Sequence, residues 1–431
     1  MSLKIWKKVF GVGVVSVFFF AVFSGQLFSA TATEIPKAAP KIQIAPNITT
    51  LTSLVSSKLT LDIPVLAARI DVTPNKVALG LDGGNNLAQV MWLDREDLSP
   101  TFVAWINPSV LGLPTSGAYF NLAAVKMDQM AGTTYSSGST TALNGSLLRS
   151  GAYLATLSGA VVDHVKLFSD SELMGRSGGS ISISDMALRV LPNGKNILDM
   201  FVDYRSSNSS KSFWIAMDSS HGNIIGRQEI PNPSGGAMSI RAATVVSANL
   251  RLANLRSAKA SESGTVVYAL TSSSSGTGSP TAGLPIAGSS VGGIVSQQVL
   301  KFSADSATGK MVVAAMQVRS LVDIRRIYIF DDSAIGVGVT KWSAPPPAAV
   351  KAAGSPVMSG KISPGIPDEW GVAAVRIDFA KQTLAYAKTG VKGRILDVSL
   401  DPTTWELCAL TQETPGSREL TALKFKVGTT H

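Results

Sequence analysis

The residues best placed to do chemistry are basic side chains that recur, each inside a short apolar run. Arg69, Lys126, Arg189, Lys301 and Arg376 sit in Ala68-Arg69-Ile70-Asp71, Val125-Lys126-Met127-Asp128, Leu188-Arg189-Val190, Leu300-Lys301-Phe302 and Val375-Arg376-Ile377-Asp378. Three of the runs carry a carboxylate two residues on: Asp71, Asp128 and Asp378. Residues i and i+2 of a strand share a face, so cation and carboxylate project together. Such an array can hold an anionic ligand or an acidic partner segment. Its plainer reading is solvated lining, or ion pairs between neighbouring elements, which contribute little when exposed.

Other motifs lack the context their chemistry needs. Gly175-Arg176-Ser177-Gly178-Gly179 fits the G-x-S-x-G pattern of a nucleophile elbow. An elbow needs a strand before its serine and a helix after it, whereas Ser180-Ile181-Ser182-Ile183-Ser184 reads as a strand. A triad also needs a histidine, and the chain has only His164, His221 and His431, too dispersed in sequence for a zinc set. Asp331-Asp332 and Asp170-Ser171-Glu172 lack the helix-flanked calcium-loop pattern and read as polar turns. Cys408 is the sole cysteine and lies in the apolar run 407–410, which implies an inert buried thiol and no disulfide. No cofactor and no metal site is expected.

These residues need strands to position them, and the 431-residue chain is rich in strand-length apolar runs broken by turn residues. The stretch Asp185–Asn223 shows the unit most clearly. It holds runs at Met186–Leu191, Ile197–Tyr204 and Phe213–Met217, separated by Pro192-Asn193-Gly194 and the polar tip 205–210. The basic-strand landmark recurs in five copies, with a sixth, uncharged one at Thr244-Val245-Val246. Successive steps are 57, 63, 56, 56 and 75 residues. A second landmark, a strand ending in Asp and a turn, recurs at Asp94, Asp170, Asp218, Asp331 and Asp401, with Thr271 in the fourth unit. Its carboxylate can accept the backbone N–H two residues on.

A long period with several strands per unit implies an all-β protein, a β-propeller, because packed blades in a closed ring bury both sheet faces and remove edges. Six four-stranded blades are expected, with seven or eight left open. The basic landmark is assigned to strand A of each blade, which lines the central channel. Loops 129–147, 272–283 and 343–369 are expected as insertions into a propeller spanning 59–431. The turns Asp218-Ser219-Ser220-His221-Gly222-Asn223 and Asp305-Ser306-Ala307-Thr308-Gly309-Lys310 resemble the Asp-x-x-Thr-Gly-Lys turn of quinoprotein-like propellers. The tryptophan that follows this turn in that superfamily is absent here. The resemblance implies the architecture and carries over no catalytic residue. The superfamily contains redox enzymes and non-enzymatic periplasmic propellers that scaffold envelope assembly.

The N-terminus reads as an export signal over 1–32. Lys4, Lys7 and Lys8 precede the uncharged apolar stretch 9–24, and Ala30-Thr31-Ala32 supplies a cleavage site. An uncleaved anchor, bringing the protein close to a membrane, is the alternative. Residues 33–58 contain Pro36, Pro40 and Pro46 and read as a linker, although 41–45 can add a strand to the ring. The formal charge of +9 includes the three signal lysines, and the remaining basic residues are dispersed, with Arg325-Arg326 the tightest pair. That argues against nucleic acid as a partner. The expectation is a non-enzymatic propeller, exported to the periplasm or cell surface, that binds a protein partner as a scaffold or subunit of an envelope or secretion assembly. The alternative is a periplasmic propeller enzyme, either quinone-type redox or carbohydrate-active.

Overall fold

A computed structural model describes residues 45–128, 132–144, 147–190, 196–207, 209–230, 239–247, 265–272, 295–304, 311–320, 322–330, 333–341, 370–381 and 384–430. The proposed signal, the inserts 273–283 and 343–369, and the turn 305–310 lie outside the described residues. The first strand, β1 (Asn47–Thr60), belongs to the last sheet. The next sheet contains β2 (Ala67–Val72), β3 (Lys76–Gly84), β4 (Leu87–Asp94) and β5 (Pro100–Ile106). It is followed by helix α1 (Pro108–Leu111) and then by β6 (Ala118–Phe120), β7 (Ala124–Met127), β8 (Thr133–Asn144), β9 (Leu147–Ser158) and β10 (Val161–Ser169). Helix α2 (Asp170–Met174) leads to β11 (Ser180–Val190), β12 (Asn196–Ser206), β13 (Ser209–Asp218) and β14 (Ile224–Ile230). Then come β15 (Ser239–Ser247), β16 (Thr265–Ser272), β17 (Val295–Ala304) and β18 (Met311–Ser320). After them are β19 (Val322–Ile329), β20 (Ser333–Lys341), β21 (Trp370–Asp378) and β22 (Leu384–Val391), and finally β23 (Arg394–Asp401), β24 (Glu406–Gln412) and β25 (Glu419–Thr430).

Every strand pairing is antiparallel, and the described strands group into six sheets. The innermost strands neighbour one another in the order β2, β7, β11, β15, β19, β23 and back to β2. The chain is therefore an all-β protein, a β-propeller. Alternate residues of one strand serve two seams, as the two-residue period requires. Ala78 and Val90 pack with Tyr153 and Ala155 of the following sheet, while Leu79 and Met91 pack with Leu410 and Leu420 of the last one. Middle strands buried on both faces, such as Ile197–Tyr204 of β12, are accordingly uninterrupted apolar runs except for Asp199 and Asp203.

Ring closure corrects the expected linker. Residues 47–58 are not a spacer: they form most of β1, which pairs with β25 from Asn47 opposite Thr430 to Thr60 opposite Glu419. The alternation of Ile48, Leu51, Val55 and Leu59 with Ser and Thr supplies the apolar contacts. The first described strand thus completes the sheet built by the last three, pairing along the edge of β25.

The expected loop over 129–147 is also corrected, since most of it is β8, the first arm of a long hairpin with β9. The innermost strand of this sheet is broken in two, and β6 and β7 both pair with β8. Gly138 faces the break: a Cβ there would lie 1.7 Å from the Asn121 carbonyl oxygen.

The basic landmark falls on innermost strands in three charged copies, Arg69 on β2, Lys126 on β7 and Arg189 on β11, and the uncharged copy lies on β15. Lys301 and Arg376 are a correction, because β17 and β21 are third strands. First and third strands run in the same direction and share an apolar pattern, so pattern alone does not separate them. Of the second landmark, Asp94, Asp218 and Asp401 close turns as expected, accepting from Glu96, Ser220 and Thr403 backbone N–H at 2.7, 2.8 and 2.9 Å. Asp170 instead opens α2, and Asp331 lies outside the described residues. No helix among the described residues is long and apolar enough to cross a membrane.

Candidate functional site

The innermost strands leave N–H groups with no ladder partner on their axial edge, and buried N–H groups need acceptors. Side chains from the preceding sheet provide them. Asp397 Oδ2 accepts from Ile70 N (3.1 Å), Asp71 Oδ2 from Met127 N (2.9 Å) and Ser139 Oγ from Ile183 N (3.1 Å). Gln297 Oε1 accepts from Ile324 N (3.0 Å) and the Tyr328 hydroxyl from Leu400 N (2.8 Å).

Ionisable groups concentrate on this stitching. Lys126 Nζ lies 2.9 Å from Asp71 Oδ1. Arg326 Nη2 lies 2.7 Å from Asp397 Oδ2, and Arg326 Nη1 lies 3.8 Å from Asp185 Oδ1. Arg69 donates from Nε to the Ala123 carbonyl at 2.7 Å. Arg326, Asp71, Asp185 and Asp397 are buried, and Arg69 and Lys126 partly so. Three cations thus share the axis with three carboxylates. Burial pulls the Arg69 guanidinium below its ordinary value, with the cationic Arg326 adding to that and Asp397 opposing it. Burial also disfavours charge on Lys126 and Arg326, but Asp71 and Asp185 for the first, and Asp397 and Asp185 for the second, outweigh it and raise both. Tyr328 is raised by burial.

Of the eight residues singled out in the sequence, the structure brings together Arg69, Asp71 and Lys126. Arg189 is not axial: it forms a two-pronged pair with Asp199 of β12, and Trp214 Nε1 donates to the same carboxylate at 2.7 Å. Asp199 is fully buried, and burial raises its carboxyl despite Arg189. Asp128 accepts from the Asn196 side-chain amide, tying the second sheet to the third. Asp378 caps the turn after β21 by accepting from Lys381 N (2.8 Å) and Ala380 N (3.1 Å), and the first of these bonds holds its carboxyl below the usual value. Arg376 pairs with it at 3.8 Å on the third strand. The Lys301 side chain lies outside the described residues.

The residues missed were Asp185, Arg326 and Asp397. Each follows a register shift on an innermost strand, between Ile183 and Asp185, Ile324 and Arg326, and Ile395 and Asp397. A fourth shift separates Ile240 and Ala242 of β15. An extra residue in one strand re-aims the side chain after it. The detectable signal is Ile-x-(Asp/Arg) at the start of an apolar run, read as a bulge and not as part of a two-residue alternation. The elbow motif fails on geometry: helix α2 precedes Ser177, Gly175 ends it at φ 66°, and strand β11 follows.

No known family and no curated protein matches the sequence. Among solved structures, the Dos1 propeller shares 12% identity at a TM-score of 0.35 over 82% of this chain and 75% of that one. The WD40 domain of SCAP from fission yeast shares 8% at 0.30 over 87% and 98%. A Synechocystis apocarotenoid oxygenase mutant shares 12% at 0.38 over 84% and 72%. The propeller assignment rests on the strand order described above and not on these low similarities.

Proposed function

We propose that this chain is a non-enzymatic, exported β-propeller of six blades that acts as a protein-binding scaffold or subunit of a cell-envelope or secretion assembly. The blade number rests on six sheets whose innermost strands neighbour one another in cyclic order. The observation that carries the scaffold reading is the pairing at the axis. The charged groups there are bonded to one another and to the next sheet's backbone, so they hold the ring together, and binding falls to the rims.

One rim exposes side chains suited to it. Leu66, Leu87 and Tyr119 are all exposed, and the Asn86 amide donates to the Ala118 carbonyl at 2.7 Å, fastening the β3–β4 hairpin beside Tyr119. Exposed aromatic and aliphatic groups of this kind form the centres of protein interfaces. Export rests on the basic, apolar and A-x-A pattern of residues 1–32. The test is cross-linking in the native envelope, comparing wild type with Leu87→Asp and Tyr119→Asp. A discrete adduct lost in both folded variants supports the proposal. No adduct, together with cofactor absorbance or glycan cleavage by the purified protein, overturns it.

A further inference from the structure

We infer a transition-metal site where the β13–β14 turn of the third sheet docks on β10 of the second. His164 lies on β10, an outer strand, and His221 on the turn. The two rings are 6.5 Å apart between centroids and inclined at 72°. The turn is seated closely there, since a Cβ on Gly222 would meet the Lys166 Cβ at 3.2 Å.

Two observations point to a ligand. His164 Nε2 is buried and has no hydrogen-bond partner. Such an orphan carries a desolvation penalty and implies an ion or a water that satisfies it. His221 is mostly exposed, and its Nδ1 lies 3.4 Å from Asp218 Oδ2. A carboxylate on Nδ1 fixes the tautomer that leaves Nε2 as a lone pair, the arrangement that orients metal-binding histidines. With the rings 6.5 Å apart, a shared ion requires the exposed His221 to turn its Nε2 towards His164. Among the described residues no group of three or more His, Cys, Asp or Glu converges, so the site offers two imidazoles and solvent completes the shell. Imidazole donors favour Cu2+, Ni2+ and Zn2+ over Mg2+ or Ca2+. Lys166, on the same strand face as His164, is engaged by Glu172 at 3.3 Å.

The chain has three histidines, so the background is small. Untagged protein carrying His431→Gln is titrated calorimetrically with Zn2+ and with Cu2+. One equivalent is expected to bind. Substituting His221→Gln or His164→Gln weakens binding by at least about tenfold, and Asp218→Asn, which keeps an oxygen to cap the turn, by roughly tenfold. Cu2+ electron paramagnetic resonance is expected to show two equivalent imidazole nitrogens. His221 is exposed, so its variant folds whatever His164→Gln does. Absence of binding, or one-to-one binding unchanged in His221→Gln, overturns the inference.

Discussion

The axial pair Arg326–Asp397 offers the sharpest test of whether the ionisable groups on the axis hold the ring or wait for a ligand. Asp397 is 2% exposed, accepts from Ile70 N and lies 2.7 Å from Arg326, itself 8% exposed. Replacing Arg326 with Met strands a buried carboxylate, and breaking a buried pair this way costs about 3–5 kcal/mol. Replacing Asp397 with Leu strands the guanidinium instead, with Asp185 as a distant partner at 3.8 Å. It also orphans the Ile70 N–H, worth a further ~1–3 kcal/mol. The double variant leaves neither charge of this pair stranded, so its loss is smaller than the sum of the singles by at least about 2 kcal/mol, within the range for residues in contact. Urea unfolding followed by tryptophan fluorescence at neutral pH reads all three. Strictly additive losses, or single losses below about 1 kcal/mol, would mean the pair is screened as at a surface. The axis would then be an open charged site, and the scaffold argument would fail with it.

Other outcomes follow from the same packing. Leu59→Ala removes a side chain 2% exposed on β1 and is expected to cost about 2–5 kcal/mol, with hydrogen exchange accelerating first along β25, its partner strand. Gly138→Ala drives a Cβ into the Asn121 carbonyl and should destabilise by about 3 kcal/mol or more, whereas Gly80→Ala crowds chiefly the movable end of Leu122, with the Val125 Cβ at ordinary contact distance, and should cost less. Cys408 is 1% exposed and burial pushes its thiol up to about 12 from 9.0, so it should resist alkylation at pH 8 until the protein unfolds. The unfolded thiol ionises before the folded one. Between pH 9 and about 12 the folded state therefore binds more protons, and this thiol's contribution to stability falls as pH rises. Cys408→Ala should remove that part of the slope.

The architecture was legible where local chemistry repeats. The runs beginning at 186, 197 and 213 fall in strands β11, β12 and β13 because turn residues and strand-length apolar runs act over a few residues. Asp94, Asp218 and Asp401 cap their turns for the same reason. The strand rank of each copy was not legible. Arg376 and Arg69 lie in near-identical peptides, yet one is on a third strand and the other on an innermost one, since both strands run the same way between the same kinds of neighbour.

What the sequence by itself determined is an all-β chain of repeating antiparallel units with an inert lone cysteine. Those properties follow from short-range backbone preferences and from composition. Only the tertiary structure decided which charges meet. Asp397 reaches Ile70 across 327 residues, Asn47–Thr60 closes the ring against the C-terminal strand, and one-residue bulges turn Asp185 and Arg326 to the axis. Ring closure and bulge aim are long-range packing outcomes, and a two-residue alternation read along the chain has no term for either.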